Sequence, residues 1–375
     1  MYVYDMDKRV NNELSITTLC FFRGRVGLHA LLKAMGIGQG DQVAIQAFTC
    51  IAVPEAVMAT GASPLYIDIA HSSFNMSADD LASKVTPKTR AIVVQHTFGI
   101  PADMACIIKI ATAHGIPIIE DCCHTLASTY KGKDVGFFGV GSFYSYEWGK
   151  PLVAGVGGSI RVNDEKLAEI IKADYASYNL PDIATQIKIE LQYHAFSLLY
   201  RPSWYWPVRS AFHWLGDIGL LKGNYNPVDE IADDFSRRMS PGVKKRLILK
   251  IKNLERQTQH IRWVSKQYRE GIYSAAISHP ALQCEDDTVF ARYPLLSTNK
   301  QDLLLKARKA NVELAEWYAT PIHPLMGKDL EKVQYKAGSC PQAEKICSQV
   351  VSLPTHAAVK EHDINRATRF LSEFK

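Results

Sequence analysis

The sequence predicts an α/β fold in which a mainly parallel sheet lies between helices. From residue 25 onward, helix-like and strand-like runs alternate along the chain, and this alternation is typical of βαβ units. A chain of 375 residues is too long for one small domain, and its hydrophobic content of 47% supports a substantial core. We therefore expect one large domain and one smaller domain.

The spacing of apolar residues predicts the elements of the first part of the chain. Helices are predicted over 25–35, 51–59, 77–84, 103–114 and 164–179, and strands over 42–46, 64–69, 91–96, 116–120, 143–146 and 159–162. The last two strands enclose an irregular segment, so they are expected to form a hairpin-like excursion.

The second part of the chain predicts a smaller α+β unit. A long helix is expected over 241–272, with Leu247, Ile251 and Leu254 on its apolar face and lysines turned away from it. A strand over 289–297 and helices over 301–310 and 362–374 follow.

These elements predict two domains. The large domain is placed at 1–240, including an N-terminal segment at 1–22 and an aromatic-rich insert at about 187–224, and the small domain is placed at 241–375.

Charge and cysteine usage exclude several classes of protein. The net charge of +5 is spread along the chain, which indicates anionic small ligands rather than a nucleic acid. The 8 cysteines show no zinc-type spacing, and the adjacent pair Cys122 and Cys123 cannot bridge in ordinary geometry. Residues 1–12 carry four charged side chains and no apolar core, unlike a signal peptide. We expect a reduced, cytoplasmic protein without a metal site.

Lys150 is the strongest candidate for chemistry. Most lysines are solvated surface groups, but this one lies between two predicted strands and precedes a cluster of glycines at 155–158. Asp121 ends an apolar run about thirty residues earlier, and ligands of α/β sheets bind at the carboxyl ends of strands. An amine and a buried carboxylate are what pyridoxal 5'-phosphate needs, to form a Schiff base and to keep its ring nitrogen protonated.

These segments resemble the DegT-type sugar aminotransferases, a family of fold-type I pyridoxal-phosphate enzymes. Residues 145–158 fit the family pattern SF(H/Y)xxKxxxxGxGG, and EDCCH at 120–124 is similar to its EDxAH segment. GDQVAIQAFTC at 40–50, TPIHPL at 320–325 and SLPTH at 352–356 also resemble family segments. The likeness implies the fold-type I architecture, with a large and a small domain.

The resemblance implies roles for three residues near the predicted strand ends. Lys150 would hold the cofactor and then move a proton between the substrate carbon and the cofactor. Asp121 would keep the ring nitrogen protonated. His124 would approach the ring and its phenolic oxygen, although a histidine at a strand end is also a common structural residue.

The resemblance also implies a site for the cofactor phosphate. In the family the backbone amides of a helix that begins SGTAAL hold the phosphate, and here residues 23–28 read RGRVGL. We expect the N–H groups of Arg25 and Val26, after Gly24, to bind the phosphate together with the Ser145 hydroxyl. An arginine guanidinium is a candidate additional ligand. The alternative is that the arginines are ordinary solvated residues of a first helical turn.

Two further positions depart from the family pattern. Cys50 replaces the aromatic residue that stacks on the cofactor ring, so either another side chain covers the ring or the cofactor is held more loosely. Phe48 is one candidate substitute if the segment is extended. Ser236 stands where the family has an asparagine that reaches the partner subunit's cofactor phosphate. Its hydroxyl can still donate, so the resemblance implies a homodimer with composite sites.

The insert at 187–224 contains eight aromatic residues interleaved with arginine and histidine. Arginine and proline residues interrupt it too often for a transmembrane helix. Tryptophan and tyrosine beside basic residues are typical of a peripheral contact at the inner face of a membrane. Large aromatics also pack in subunit interfaces, and both interpretations stay open.

Together these observations predict a cytoplasmic pyridoxal-phosphate aminotransferase. By analogy with the family, it would convert a keto sugar, usually nucleotide-linked, to an amino sugar for surface polysaccharide, with glutamate as amino donor. A related sugar dehydratase would have a histidine in place of Lys150. The remaining alternatives are a membrane-associated homologue acting on a lipid-linked or non-sugar substrate, and a non-catalytic homologue.

Overall fold

The structure, a computed structural model, describes residues 17–71, 73–125, 127–217, 234–281 and 287–375. Its first elements are β1 (Thr17–Phe21), α1 (Gly24–Ala34), β2 (Gln42–Gln46), β3 (Thr49–Cys50), α2 (Ala52–Met58), β4 (Ser63–Ile67), α3 (Ala78–Lys84), β5 (Thr89–Gln95), α4 (Met104–His114), β6 (Ile118–Asp121), β7 (Thr129–Tyr130), β8 (Lys133–Asp134), β9 (Gly141–Ser145), β10 (Gly158–Val162) and α5 (Glu165–Tyr175). The later elements are α6 (Ile183–Leu199), α7 (Tyr205–Asp217), α8 (Pro241–Ile251), α9 (Leu254–Gly271), β11 (Ile277–Ser278), β12 (Arg292–Ser297), α10 (Lys300–Lys309), β13 (Ile322–His323), α11 (Asp329–Lys332), α12 (Pro341–Cys347), β14 (Val350–Pro354) and α13 (Glu361–Glu373).

A seven-stranded sheet forms the centre of the first part of the chain. Its strand order is β1-β10-β9-β6-β5-β2-β4. The strands β9, β6, β5, β2 and β4 run parallel, whereas β10 and β1 are antiparallel to their neighbours. The central strands are buried along almost their whole length because helices cover both faces. The predicted α/β class with a mainly parallel sheet is confirmed.

The predicted hairpin-like excursion is also confirmed. Strands β9 and β10 pair antiparallel, with Ser145 opposite Gly158 and Gly141 opposite Val162. The connection between them carries Lys150. Because β9 also pairs with β6, where Asp121 lies opposite Phe143, the connection begins at the same edge of the sheet as Asp121.

The last part of the chain forms a second, three-stranded sheet in the order β11-β12-β14. It also returns to the first part of the chain, because β13 pairs parallel with β3, with Ile322 opposite Thr49 and His323 opposite Cys50. The backbone N–H groups of Phe48 and Thr49 both donate to Pro321 O, at 2.7 and 2.9 Å. Residues just before β13 therefore lie beside Cys50.

The single long helix expected over 241–272 is wrong, because the chain forms two helices, α8 and α9, with a break at 252–253. Asn253 is a poor helix former, and its side-chain amide donates to Leu249 O at 3.3 Å, which is a local competitor of the helical pattern. The apolar face is confirmed at Leu247 and Leu254, which are buried.

The aromatic-rich insert is helical where the structure describes it, and residues 218–224 lie outside the described part. Asp182 caps α6 by accepting a hydrogen bond from Thr185 N at 2.8 Å. One face of α6 packs against α8 through the buried Ile189, which adjoins Val243 in the same apolar cluster. None of the described helices is both long enough and apolar enough to cross a membrane.

Candidate active site

Asp121 ends β6 and is buried. One carboxylate oxygen accepts a hydrogen bond from Cys123 N at 2.9 Å, and no other residue in the described part of the chain donates to it. Burial raises the pKa of this carboxyl, while the Cys123 hydrogen bond and the Lys150 charge lower it. A buried carboxylate suits a cationic partner such as a protonated ring nitrogen.

Lys150 lies on the connection that follows β9, where its N–H donates to Glu147 O at 3.2 Å. Its Nζ is 5.2 Å from the centroid of the Trp317 ring. Its charge acts on the pKa of Asp121 and of His124. The structure therefore brings together the three residues that the sequence assigned to chemistry, although they come from two separate segments.

His124 is buried, and both of its ring nitrogens have partners. Phe98 N donates to Nδ1 at 3.4 Å, which leaves the proton on Nε2 to be donated to the Tyr318 hydroxyl at 3.0 Å. Burial and then the Lys150 charge hold the pKa of His124 well below its usual value. His124 is therefore neutral, and its ring lines the site. The ring packs against that of Trp317, with 4.4 Å between the centroids.

The N-terminus of α1 adjoins the end of β9. A Cβ on Gly24 would lie 3.1 Å from Tyr144 O and 3.3 Å from Ser145 Cβ, and a Cβ on Gly158 would collide with Gly24 N. Within the described residues no side chain caps α1, so its first N–H groups are available to an anion. The buried Gly24, Arg25 and Val26 thus begin a helix beside Ser145, and the uncapped N–H groups of this helix start fit a phosphate.

The arginines at the start of α1 are not simple solvated residues. Arg25 is only 5% exposed; its Nη2 lies 2.9 Å from Asp234 Oδ2 and its Nη1 lies 3.1 Å from Glu55 Oε2. Arg23 Nη1 lies 3.1 Å from Glu147 Oε1. These guanidinium groups are therefore engaged by carboxylates, which leaves the backbone as the expected phosphate ligand. Sequence reasoning missed the carboxylates because they come from distant segments.

Cys50 is half-buried and lies in β3. Phe48 does not extend alongside it, because Phe48 has a φ of 68° and is fully buried. Its ring packs against those of Phe74, Phe98 and Tyr318, with centroids 5.3 to 6.1 Å apart. The suggested substitution of Phe48 for the stacking aromatic is therefore wrong, since that idea required an extended segment.

Ser236 lies on a segment that is joined to the residues after α5. Its carbonyl accepts a hydrogen bond from Asn179 N at 3.0 Å, and isolated bridges join Arg237 to Asn179 and Arg238 to Phe21. The residue is exposed. The structure of a single chain thus leaves Ser236 at the surface.

Aromatic residues of the insert lie against the turn that carries Lys150. The Phe196 ring is 4.8 Å from the Trp148 ring and stacks on the Tyr200 ring at 4.5 Å. The Tyr200 ring in turn packs against His356 at 4.8 Å. The Tyr193 ring packs against the Arg246 guanidinium, whose carbon lies 3.7 Å from the ring centroid.

Tyr200 also reaches a buried ion pair in the last part of the chain. Its hydroxyl donates to Glu313 Oε1 at 3.1 Å, and Arg292 Nη1 donates to the same oxygen at 3.0 Å. Sequence reasoning identified the aromatic insert but missed these contacts, and it missed Trp148 and Trp317 beside Lys150. The only signal for the last two was their position next to the family-like segments.

A buried cluster next to Asp121 contains groups that can ligate metals. One ligand atom from each of His96, Glu120 and Cys122 lies within 4.8 Å of the others. Glu120 already accepts hydrogen bonds from His96 Nε2 and from the N–H groups of Gly136, Phe138 and Gly139. Burial opposes ionisation, but these hydrogen bonds, led by the one from His96, hold the pKa of Glu120 below its usual value. The cluster is explained by structure: the Glu120 carboxylate holds the loop before β9 through hydrogen bonds from its backbone N–H groups.

Comparisons with known proteins agree with this geometry. A pleiotropic regulatory protein of Geobacillus stearothermophilus is 27% identical over 94% of this chain and 83% of its own length. A UDP-2-acetamido-2-deoxy-3-oxo-D-glucuronate aminotransferase of Pseudomonas aeruginosa is 26% identical over 89% of this chain and 79% of its own. The crystal structure of a DegT DnrJ EryC1 StrS aminotransferase from Brucella abortus superposes with a TM-score of 0.72 at 21% identity, over 98% of this chain and 89% of that one.

The family model of the DegT/DnrJ/EryC1/StrS aminotransferases matches residues 17–184 and 243–371. The match stops where the insert begins and resumes at α8. It covers most of the chain, including the segments that hold Lys150, Asp121, His124 and Trp317. The chain belongs to the DegT/DnrJ/EryC1/StrS aminotransferase family, whose cofactor is pyridoxal phosphate.

Proposed function

We propose that this protein transfers an amino group from glutamate to a keto sugar, usually a nucleotide-linked one, and so makes an amino sugar for surface polysaccharide. The observation that supports the proposal is the buried Asp121, on whose pKa the charge of Lys150 acts. The uncapped start of α1 beside Ser145 supports it further. The name of the Pseudomonas relative describes a keto-sugar nucleotide as that enzyme's substrate, which supports the same substrate class here.

Each residue of the site has a separate role toward the cofactor. Pyridoxal phosphate supplies an aldehyde and an electron-withdrawing ring. Lys150 Nζ would hold the cofactor, and the same amine would serve as the base that takes up and delivers a proton. The Asp121 carboxylate would pair with the ring nitrogen. The N–H groups of the first turn of α1 and the Ser145 hydroxyl would bind the phosphate.

Two copies of the chain assemble so that each site receives residues from both. The exposed position of Ser236 supports this arrangement, because a side chain at the surface of one chain is available to the other. A division near residue 240 separates a large cofactor-binding domain from a small one. In support, the seven-stranded sheet ends at residue 162 and the three-stranded sheet begins at residue 277.

The test begins with the Lys150→Ala variant. Wild-type protein mixed with pyridoxal phosphate should develop a visible absorption band of the lysine-bound cofactor, and Lys150→Ala should not. Lys172→Ala, at an exposed position of α5, is the matched control and should behave as wild type. Addition of glutamate should then convert the wild-type cofactor to its amine form. A wild type that takes up no cofactor, or is unchanged by glutamate, contradicts the proposal.

A second candidate is suggested by the outer surface of the insert. Ile183, Leu191 and Leu198 on α6 are 75%, 67% and 69% exposed, and Trp204 and Trp214 are 55% and 62% exposed. Arg201 is also exposed there, and Lys188 is partly exposed. Exposed apolar and aromatic groups beside cations suit an anionic membrane surface, where a lipid-linked substrate would lie.

Vesicle sedimentation tests the membrane contact. Wild-type protein should sediment with vesicles that contain phosphatidylserine, whereas a variant with Trp204→Ser and Trp214→Ser should stay in the supernatant. Trp206 is left unchanged because its indole N–H donates to Val312 O at 2.9 Å. If wild type does not sediment, and the double variant changes only the oligomeric state, a second copy of the chain covers this surface and the membrane contact is wrong.

A further inference from the structure

A ring bound to Lys150 needs an aromatic surface that position 50 does not supply. A cysteine has no flat face, and Phe48 is fully buried in an aromatic cluster with a positive φ. Flat rings gain from offset contact with another aromatic ring beyond the area that they bury. An aromatic side chain close to Lys150 Nζ could supply that surface.

Trp317 is an aromatic side chain close to Lys150. The centroid of its ring is 5.2 Å from Lys150 Nζ and 4.4 Å from the His124 ring. A cofactor held by Lys150 Nζ would have its ring within a few bonds of that atom. Trp317 is only partly buried, so part of its indole is open to a neighbour.

The approach of Trp317 to the site follows from strand pairing. It lies five residues before β13, and β13 pairs with the strand that holds Cys50. The adjacent Tyr318 is buried and bonded to His124, which holds this segment against the end of β6. Trp317 therefore lies on a segment that leads directly into the strand paired with the Cys50 strand.

We propose that the Trp317 indole supplies the aromatic face against which the cofactor ring packs, in place of the side chain at position 50. The inference rests on the proposed attachment of the cofactor to Lys150. A ring nitrogen kept protonated by Asp121 makes the cofactor ring partly cationic, which strengthens its attraction to an indole face. Because Trp317 comes from the last part of the chain, the bound cofactor links that part to the parallel sheet.

Cofactor affinity gives the first test. Equilibrium dialysis of Trp317→Ala should show about threefold to tenfold weaker binding of pyridoxal phosphate than wild type, as expected for the loss of one aromatic contact. Trp317→Phe should lose less. Adding Cys50→Phe to Trp317→Ala should restore part of the affinity, because it returns an aromatic ring to the same part of the site.

Tryptophan emission gives the second test, with a matched control. Cofactor bound against Trp317 should quench part of the emission of the wild type, and that part should be missing in Trp317→Phe. Trp263→Phe removes a tryptophan of α9 that is 41% exposed and lies beside His260, so it should retain the quenching. The Phe variant preserves a ring in the packed site and remains informative if Trp317→Ala fails to fold.

The two proposals fail in different ways. If the wild type develops no visible band with the cofactor, the attachment to Lys150 is wrong, and this inference is wrong with it. If the band forms normally, while the Trp317 variants bind the cofactor as tightly as wild type and show the same quenching, the attachment stands and the role of Trp317 is wrong. Dialysis in the Lys150→Ala background measures the ring contact without the covalent bond, and the loss on removing Trp317 should persist there.

Discussion

The two faces of α6 are both apolar, but only one of them has partners in the described chain. The inner face holds Tyr193, Phe196 and Tyr200, which contact the lysine turn, α8 and the last part of the chain. On the outer face, Leu191 and Leu198 are more than two-thirds exposed. One aromatic-rich stretch therefore has one packed surface and one exposed surface. Packing explains the inner residues, and only an external partner would explain the outer ones.

The inner face links the lysine turn to the last part of the chain. From Trp148 the row of rings continues through Phe196 and Tyr200 to His356. Tyr200 also bonds to Glu313, which pairs with the buried Arg292. Displacement of any ring in this row should therefore change the position of the turn that carries Lys150, whereas changes on the outer face should leave that turn in place.

The largest expected effect is that of Phe196→Ala. Removing a half-buried ring that contacts Trp148 and Tyr200 should lower the free energy of unfolding by about 2–3 kcal/mol, less than for a fully buried phenylalanine. The visible band of the lysine-bound cofactor should also form more weakly. Urea denaturation and absorption spectra measure the two effects. Leu198→Ala, two residues away on the outer face, is the control and should cost less than about 0.5 kcal/mol; equal costs would remove the distinction between the faces.

The fold was predictable wherever one period dominated the sequence. Through residue 162 the predicted helices and strands lie within about two residues of those observed, because alternating helix and strand patterns specify a parallel sheet. The long helix over 241–272 was wrong because a single asparagine at 253 interrupts a pattern whose apolar face continues across it. The insert could not be predicted in this way, since its apolar residues surround α6 and leave no preferred face.

Acidification tests the far end of the inner row. Burial, followed by the charges of Arg292 and His260, lowers the pKa of His356 to about 3, against 6.5 for an ordinary histidine. Below about pH 6.5 His356 binds a proton in the unfolded chain but not in the folded chain. Its contribution to stability is therefore fully present above about pH 6.5 and is lost as the pH falls toward 3. His124 and His323 have depressed pKa values and act in the same direction.

The measurement is the unfolding temperature between pH 7.5 and 5. It should fall as the pH is lowered, and His356→Gln should reduce the fall because one of the three groups is removed. Asp121 acts in the opposite direction, since its raised pKa favours proton uptake by the folded chain. An unfolding temperature that rises on acidification would mean that the carboxyl groups outweigh the histidines, and an equal fall in wild type and His356→Gln would mean that His356 is not held neutral in the folded chain.

The site was predictable only in part. Lys150 and Asp121 could be paired because each follows a strand and both carry chemistry that the cofactor needs. Trp317 and the carboxylates around Arg25 could not be found in the same way, because their sequence separation from the site is large and their residue types are common. Contacts between distant segments depend on how helices and loops pack, and hydrophobic periodicity does not specify them.

A smaller effect is expected for Tyr200→Phe. This change keeps the ring stacked on Phe196 and removes only the hydroxyl that donates to Glu313. The free energy of unfolding should fall by about 1 kcal/mol, because Arg292 continues to satisfy the same carboxylate oxygen. Urea denaturation measures the change. A loss as large as that of Phe196→Ala would show that the hydroxyl, rather than the row of rings, holds the inner face in place.

The smallest effect belongs to the outer face. Leu191→Ser should change the free energy of unfolding of the dilute protein by no more than about 0.5 kcal/mol, since its side chain is 67% exposed and leaves no cavity. Its effect should appear instead in vesicle sedimentation, because an exposed leucine adds apolar area to any surface that it meets. Denaturation and sedimentation of the same preparation separate these outcomes. A large loss of stability in Leu191→Ser would mean that the outer face is already covered in solution by another copy of the chain, and the contrast between the two faces would then be one between two kinds of buried contact.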